Sequence, residues 1–368
     1  MKLFTCLATL LVLPLVSGCP DDPTDEPTSF EGLELFGTWD DDYGGSITVT
    51  DSAWGTSSVL TYDNDGNWAV LQAPADDPFN PSAFSKVVWT EPQHGQWWTC
   101  TVVYGLDTEA EATDAAEHEA DASDPGVGGC GGFPWTLYRE PIEVKGTWHS
   151  SWGGSEAVTS FDWGTGALFR HNNDANWAVY RLPDNDPFNP GTYSKVVWTE
   201  PEAADGAFWA CIVAFGLPTG EAAVLNETAY DHSDPASGGC GGFPWTRLAP
   251  ILEVTGTWHS NWGGTETLDS DAWAWGAVRE YDNAARWAVV QAADDDAWNP
   301  STYSKLVWTP QEADGAFWYC TVVYGLETHN EARDAADSSD ASDPAAGCCG
   351  GFPWTRLAPV IEVGGSFT

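Results

Sequence analysis

Positive charge is scarce in this chain: 13 Lys+Arg stand against 55 Asp+Glu over 368 residues, a formal charge of -42. Such a surface repels phosphate backbones and anionic lipid surfaces, which argues against nucleic acid as a partner. It fits a need for solubility, a salty habitat, or loops that hold cations. Also missing is a catalytic constellation. No serine or cysteine nucleophile sits in a recognisable elbow, and His149 and His259, which follow "GTW" in two places, give way to Asp40 in a third. Acid pairs are too abundant here to single any out, so the sequence predicts no enzyme.

Apolar runs are missing too, except at the start. "MKLFTCLATLLVLPLVSGC" has one lysine, an apolar stretch from Leu3 to Val16 and small residues before Cys19. It is too short to span a bilayer and reads as an export signal over residues 1–18. "VSGC" (Val16 to Cys19) resembles the lipobox of bacterial lipoproteins. That resemblance implies a diacylglyceryl group on Cys19, a lipid bilayer as partner and a place in the bacterial cell envelope, at the outer membrane. Residues 19–32, rich in Pro and acid, suit a tether.

Linkers are the next absence. "GTW" recurs at Gly37, Gly146 and Gly256, and "SKVVWT" at Ser85 and Ser194 returns as "SKLVWT" at Ser304. Offsets of 109 and 110 residues make these whole domains in tandem, expected over 33–145, 146–255 and 256–368. "LELFGTW", "IEVKGTW" and "LEVTGTW" open the units and "IEVGGSF" closes the chain, so three units have four copies of this segment. The pattern suggests that each unit needs one at both ends. Within a unit the apolar period is mostly two, which predicts an all-β antiparallel meander of six or seven strands, closed or nearly closed as a small calycin-like barrel. One short helix interrupts it, signalled by the capping-box spacing of Thr108 with Glu111 and Thr328 with Glu331 and less clearly by Thr219.

Seven cysteines follow Cys19, and six form recurring pairs: Cys100 with Cys130, Cys211 with Cys240, Cys320 with Cys349. Each pair joins a "WxC" strand to the nonapeptide "GGCGGFPWT" or "GCCGGFPWT" across the helix-containing loop. In an exported chain, without paired histidines for a metal, this predicts one disulfide per unit, worth about 3 kcal/mol on the chain-entropy model. Cys348 is left over, as an incidental thiol or an intermolecular link. Trp98, Cys100, Val102 and Tyr104 share one strand face, expected to point inward with the disulfide.

The 23 tryptophans recur largely in register, as core residues do. Trp152, Trp262 and Trp298 are the candidates for ligand contact. Lysine is rare enough to be informative: Lys86, Lys195 and Lys305 share one position, and the "SDP" residues Asp124, Asp234 and Asp343 are natural ion-pair partners. The alternative is an edge-strand lysine that discourages sheet association. "DDPFNP", "NDPFNP" and "DDAWNP" place Asp77, Asp186 and Asp296 in Asx-Pro loops, which make turns unaided and offer only weak calcium sites. No cofactor is expected.

"GTWDDDYGGSITVT" (Gly37 to Thr50) resembles the first hairpin of avidins and, more loosely, the start of lipocalins. At two positions where avidins contact biotin through Asn and Ser, the units carry Asp41 and Gly45, Ser150 and Gly154, Ser260 and Gly264, so biotin is not implied. The combination of lipobox, "SDP" and "GCGGFPWT" is similar to a group of bacterial lipoproteins and exported proteins with no assigned activity. The expected role is non-catalytic binding, of a glycan or envelope partner, or surface structure. Capture of a small ligand inside each barrel is the alternative, and an envelope hydrolase is third.

Overall fold

Period-two strands joined by tight turns can hide both sheet edges only by closing on themselves. A computed structural model describes residues 32–116, 120–241, 243–347, 349 and 353–360. Within it the chain forms three closed antiparallel barrels in succession. The leader, Cys19, the tether, Cys348 and the last segment copy, 361–368, lie outside the described residues.

The first barrel runs β1 (Gly37–Asp41), β2 (Ser46–Val49), β3 (Ala53–Trp54), β4 (Ser57–Asp63), β5 (Trp68–Gln72), β6 (Phe84–Trp89), β7 (Gln96–Leu106), α1 (Glu109–Thr113) and β8 (Thr136–Arg139). Neighbours in sequence pair in order, and β8 returns to β1 through Asp40↔Arg139 and Asp41↔Tyr138. The count is eight strands per barrel, against the six or seven expected, because the two-residue β3 is too short to show a period. The other barrels repeat this order from Gly146–Ser150 to Thr246–Pro250 and from Gly256–Ser260 to Thr355–Pro359. All three helices form, including Gly220–Val224 behind Thr219, whose hydroxyl accepts from the Ala222 amide. Gly220 is needed there because a Cβ would collide with the Phe169 ring.

Aromatic side chains fill the barrels. In the first, Trp97 meets Trp39 and Trp54 edge-on at 5.7 and 5.6 Å and stacks on Tyr138 at 4.6 Å. The cysteine face of β7 does not point into this core, contrary to expectation. Cys100 packs with Val88 and Trp135, and with Trp68, Trp98, Val102 and Cys130 at its border, in a second cluster separate from the barrel interior. The disulfide loop lies over the barrel wall, so β7 is covered on both faces there. Equivalent clusters form around Cys211 and Cys320. The three bonds are Cys100–Cys130, Cys211–Cys240 and Cys320–Cys349, with Cα separations of 5.5, 5.6 and 5.4 Å.

The segment before each "GTW" has a clear role. Leu33 and Leu35 are buried in the first core, Ile142 and Val144 in the second, Leu252 and Val254 in the third. The glutamate between each apolar pair, Glu34, Glu143 or Glu253, accepts from the indole of Trp89, Trp198 or Trp308. Each of these three segments is thus a plug for the barrel that follows it. The packing moves the expected cuts from 146 and 256 back to about 141 and 251. Strand directions put the loops 42–45 and 73–83 at the opposite, unplugged end.

Candidate functional site

Two places depart from a packed barrel: the unplugged mouths and the seams between barrels. At the mouths the Asx-Pro loops have a definite geometry. Asp77 Oδ1 accepts from the Phe79 and Asn80 amides at 2.9 and 2.7 Å. Asp186 treats Phe188 and Asn189 in the same way, and Asp296 does so with Trp298 and Asn299. These amides hold the Asp77 and Asp296 carboxyls below the usual range. The carboxylates therefore build the turn, which pushes an aromatic ring outward: Phe79, Phe188 and Trp298 are 87, 86 and 88% exposed.

Two further positions repeat this exposure. Tyr43, Trp152 and Trp262 cap the first hairpin of each barrel, and Tyr104, Phe215 and Tyr324 stand near the mouth end of the long strand; all six are exposed. The three candidate tryptophans are therefore members of two repeated sets that include phenylalanine and tyrosine. Tryptophan alone does not mark these sets, because the residue type changes from barrel to barrel.

The mouths differ in depth. In the third barrel Val290 lies in the core, paired with Ser304, and Ala292 lines a cavity of 310 Å³ with Trp275, Trp298, Ser304, Thr321 and Tyr324. In the second barrel Tyr180 and Leu182 occupy the same positions. Tyr180 is buried in the core, and its phenol reaches Ser194.

At the first seam the Arg139 guanidinium lies 5.1 Å from the Phe161 ring and donates to the carbonyls of Ser160 and Leu168 (3.3 and 2.6 Å) and to Gln96 Oε1 (3.1 Å). Burial pulls Arg139 down to about 10. His171 is pulled down to about 4 by burial and then by the Arg139 charge, and its Nε2 is buried without a hydrogen-bond partner. Lys145 bridges to Asp40 at 2.8 Å, and Asp40 also accepts from the Ser160 hydroxyl.

The second seam has the same frame with smaller or shorter fillers. Ala249 replaces Arg139, Ala207 replaces Gln96, Asp271 replaces Phe161 and Thr255 replaces Lys145. Contact persists through Tyr281, whose hydroxyl donates to the Pro250 carbonyl at 2.8 Å, and through Asp271, which accepts from the Gly154 amide at 3.1 Å and sits 3.5 Å from His149 Nε2. Between them is a cleft of 780 Å³ with Trp152, Arg247, Arg279 and Tyr281 in its lining.

The rare lysines do not pair with the "SDP" aspartates. Lys195 donates to the carbonyls of Val224 and Asn226 at 3.0 and 2.8 Å, and Lys305 to those of Arg333 and Ala335 at 2.8 and 2.7 Å. Lys86 makes the same bonds to Thr113 and Ala115. Each ammonium also lies 4.8 to 5.3 Å from the ring of Trp68, Trp177 or Trp287. The short helices end on carbonyls without intrahelical partners, and these are what the lysines satisfy. Asp124, Asp234 and Asp343 instead accept turn amides through their own carbonyls, from Val127, Ser237 and Ala346. Lys195 and Lys305 do tie the disulfide loop to the wall, through these carbonyls.

Burial raises the carboxyls of Glu156 and Glu266, at the position where the first barrel has Ile47. Glu266 accepts from the Tyr319 hydroxyl at 3.0 Å. Neither carboxylate lines the second-seam cleft or the third mouth. Among the described residues no helix is long and apolar enough to cross a membrane. Compared with protein-family models, curated proteins and solved structures, the chain matches none.

Proposed function

We propose that this chain is an exported, non-catalytic binding protein, held at the cell envelope by a lipid on Cys19, whose three barrels present aromatic side chains to one repeating partner such as a glycan. One observation supports the reading: three surface positions carry an exposed aromatic in every barrel. A single exposed ring needs no explanation, but folding has no use for nine at matched sites. Interchange of Phe, Tyr and Trp at these sites asks only for a flat apolar face. Three weak sites joined without linkers add as avidity, not as one deep pocket.

The test replaces Phe79, Phe188 and Trp298 by Ala in one, two and three barrels of the full chain and measures retention on insoluble polysaccharides and envelope fractions. Retention should fall more than proportionally with each barrel altered; a triple variant that binds as the parent does rejects the reading. Separately, Cys19→Ala should move the protein from membranes to the soluble fraction, and fatty-acid label retained by that variant would reject the anchor.

A second reading, capture of a small molecule inside a barrel, has its own support in the 310 Å³ cavity of the third mouth. It requires one molecule per chain, displaced when Val290→Tyr copies the filled second barrel.

A further inference from the structure

The second seam repeats the first with its filling removed, and we propose that the cleft left there binds a short uncharged oligosaccharide. It occurs once per chain and does not depend on the avidity of the loop aromatics. Its 780 Å³ falls within the range of small-ligand sites, with space for about two or three sugar rings.

Trp152 provides the stacking surface. Its Nε1 donates to Thr246 Oγ1 at 3.2 Å and its amide to Ser150 Oγ at 3.2 Å, so the ring is tethered at its edge, yet the residue is 70% exposed. Around it several charged groups already have partners, while Arg279 donates to Gln291 Oε1. Arg247 pairs with Glu202 and Asp205, His149 with Asp271, and His329 with Glu280 at 2.9 Å. A paired carboxylate keeps lone pairs that can accept from a hydroxyl, and a guanidinium keeps N–H groups that can donate to one. Hydroxyls do both, so a polyol can use such a lining without breaking any pair.

An anion fits less well: it would enter a cleft lined by five carboxylates and two arginines, on a chain of charge -42. A cationic sugar would be drawn by the same carboxylates, and the salt dependence of binding separates it from a neutral one. The first seam shows what occupation of this space looks like: there the chain supplies its own planar donor, Arg139, against Phe161.

The full chain should be titrated with cellotriose, maltotriose, xylotriose and tri-N-acetylchitotriose, following heat and tryptophan fluorescence. At least one should bind one per chain and quench fluorescence, with little dependence on salt. Trp152→Ala should weaken it about tenfold or more. Ala249→Arg, which imports the first seam's filling, should abolish it. A Trp152→Ala protein with unchanged melting keeps the test valid if Ala249→Arg folds poorly. No response to any of the four at about 1 mM, affinity indifferent to both substitutions, or a preference for sulfated or amino sugars that salt removes would each overturn the proposal.

Discussion

The two seams have one frame and opposite contents. Ser160 and Ser270 stand at the same position and each accepts the amide of its own barrel's plug, from Ile142 and Leu252, at 3.2 and 3.0 Å. Around that shared contact, Arg139 packs on Phe161 and Gln96 in the first seam, leaving a cavity of only 210 Å³ lined by Gln96 and Phe169, while Ala249 and Asp271 line the 780 Å³ cleft of the second. That contact lies within one barrel, and the first barrel has its like where Asp51 accepts the Leu33 amide at 2.8 Å. What lies beside it differs: packed side chains at the first seam, a cleft at the second.

Emptying the first seam should have the largest effect. Arg139→Ala leaves the Ser160 and Leu168 carbonyls without their charged donor and should cost about 2–4 kcal/mol, seen as an earlier unfolding step by denaturant or calorimetry. A change under half a kcal/mol would mean that the seam contributes nothing to stability.

Acid should distinguish the seams next. His171 has a folded pKa of about 4 against 6.5 for a free imidazole, so the unfolded chain binds more protons between those values. Stability from this site is present above pH 6.5 and is lost as pH falls toward 4, by roughly 2–3 kcal/mol. His171→Tyr copies the second seam's Tyr281 and should remove that acid sensitivity; an unchanged pH profile would place the titration elsewhere.

The smallest effect belongs to Lys145→Thr, again the second seam's residue. It takes from Asp40 a half-exposed partner while Ser160 remains, and should cost about 1 kcal/mol in thermal melting, reduced by salt. A larger loss would show that Asp40 depends on the ammonium and not on the hydroxyl.

Repetition made the fold legible. The 109- and 110-residue offsets, the cysteine spacing and the Thr108–Glu111 cap all carry local rules that survive without tertiary context. β3 was invisible because two residues cannot show a period. The facing of β7 was misread because a disulfide loop buries its outer side, and alternation then no longer separates core from solvent. The lysines were misassigned because a helix-end carbonyl has no residue type to read. The second-seam cleft was missed for the opposite reason from the rest: it lies in what the repeats do not share, and Ala249 against Arg139 carries the signal only when the copies are subtracted.

Each plug begins within three residues of the preceding barrel's last strand, with Glu140 and Pro141 between Arg139 and Ile142. There is no slack to absorb tension. A load along the chain passes from one barrel wall straight to Ile142 and Val144, or to Leu252 and Val254, which are held by burial, by the glutamate–indole bond, by Ser160 or Ser270, by Asn173 or Asn283, and by the Trp148 or Trp258 indole on the plug's last carbonyl. Pulled by its ends, the protein would load its plugs and strands together, with no linker to take up the extension first.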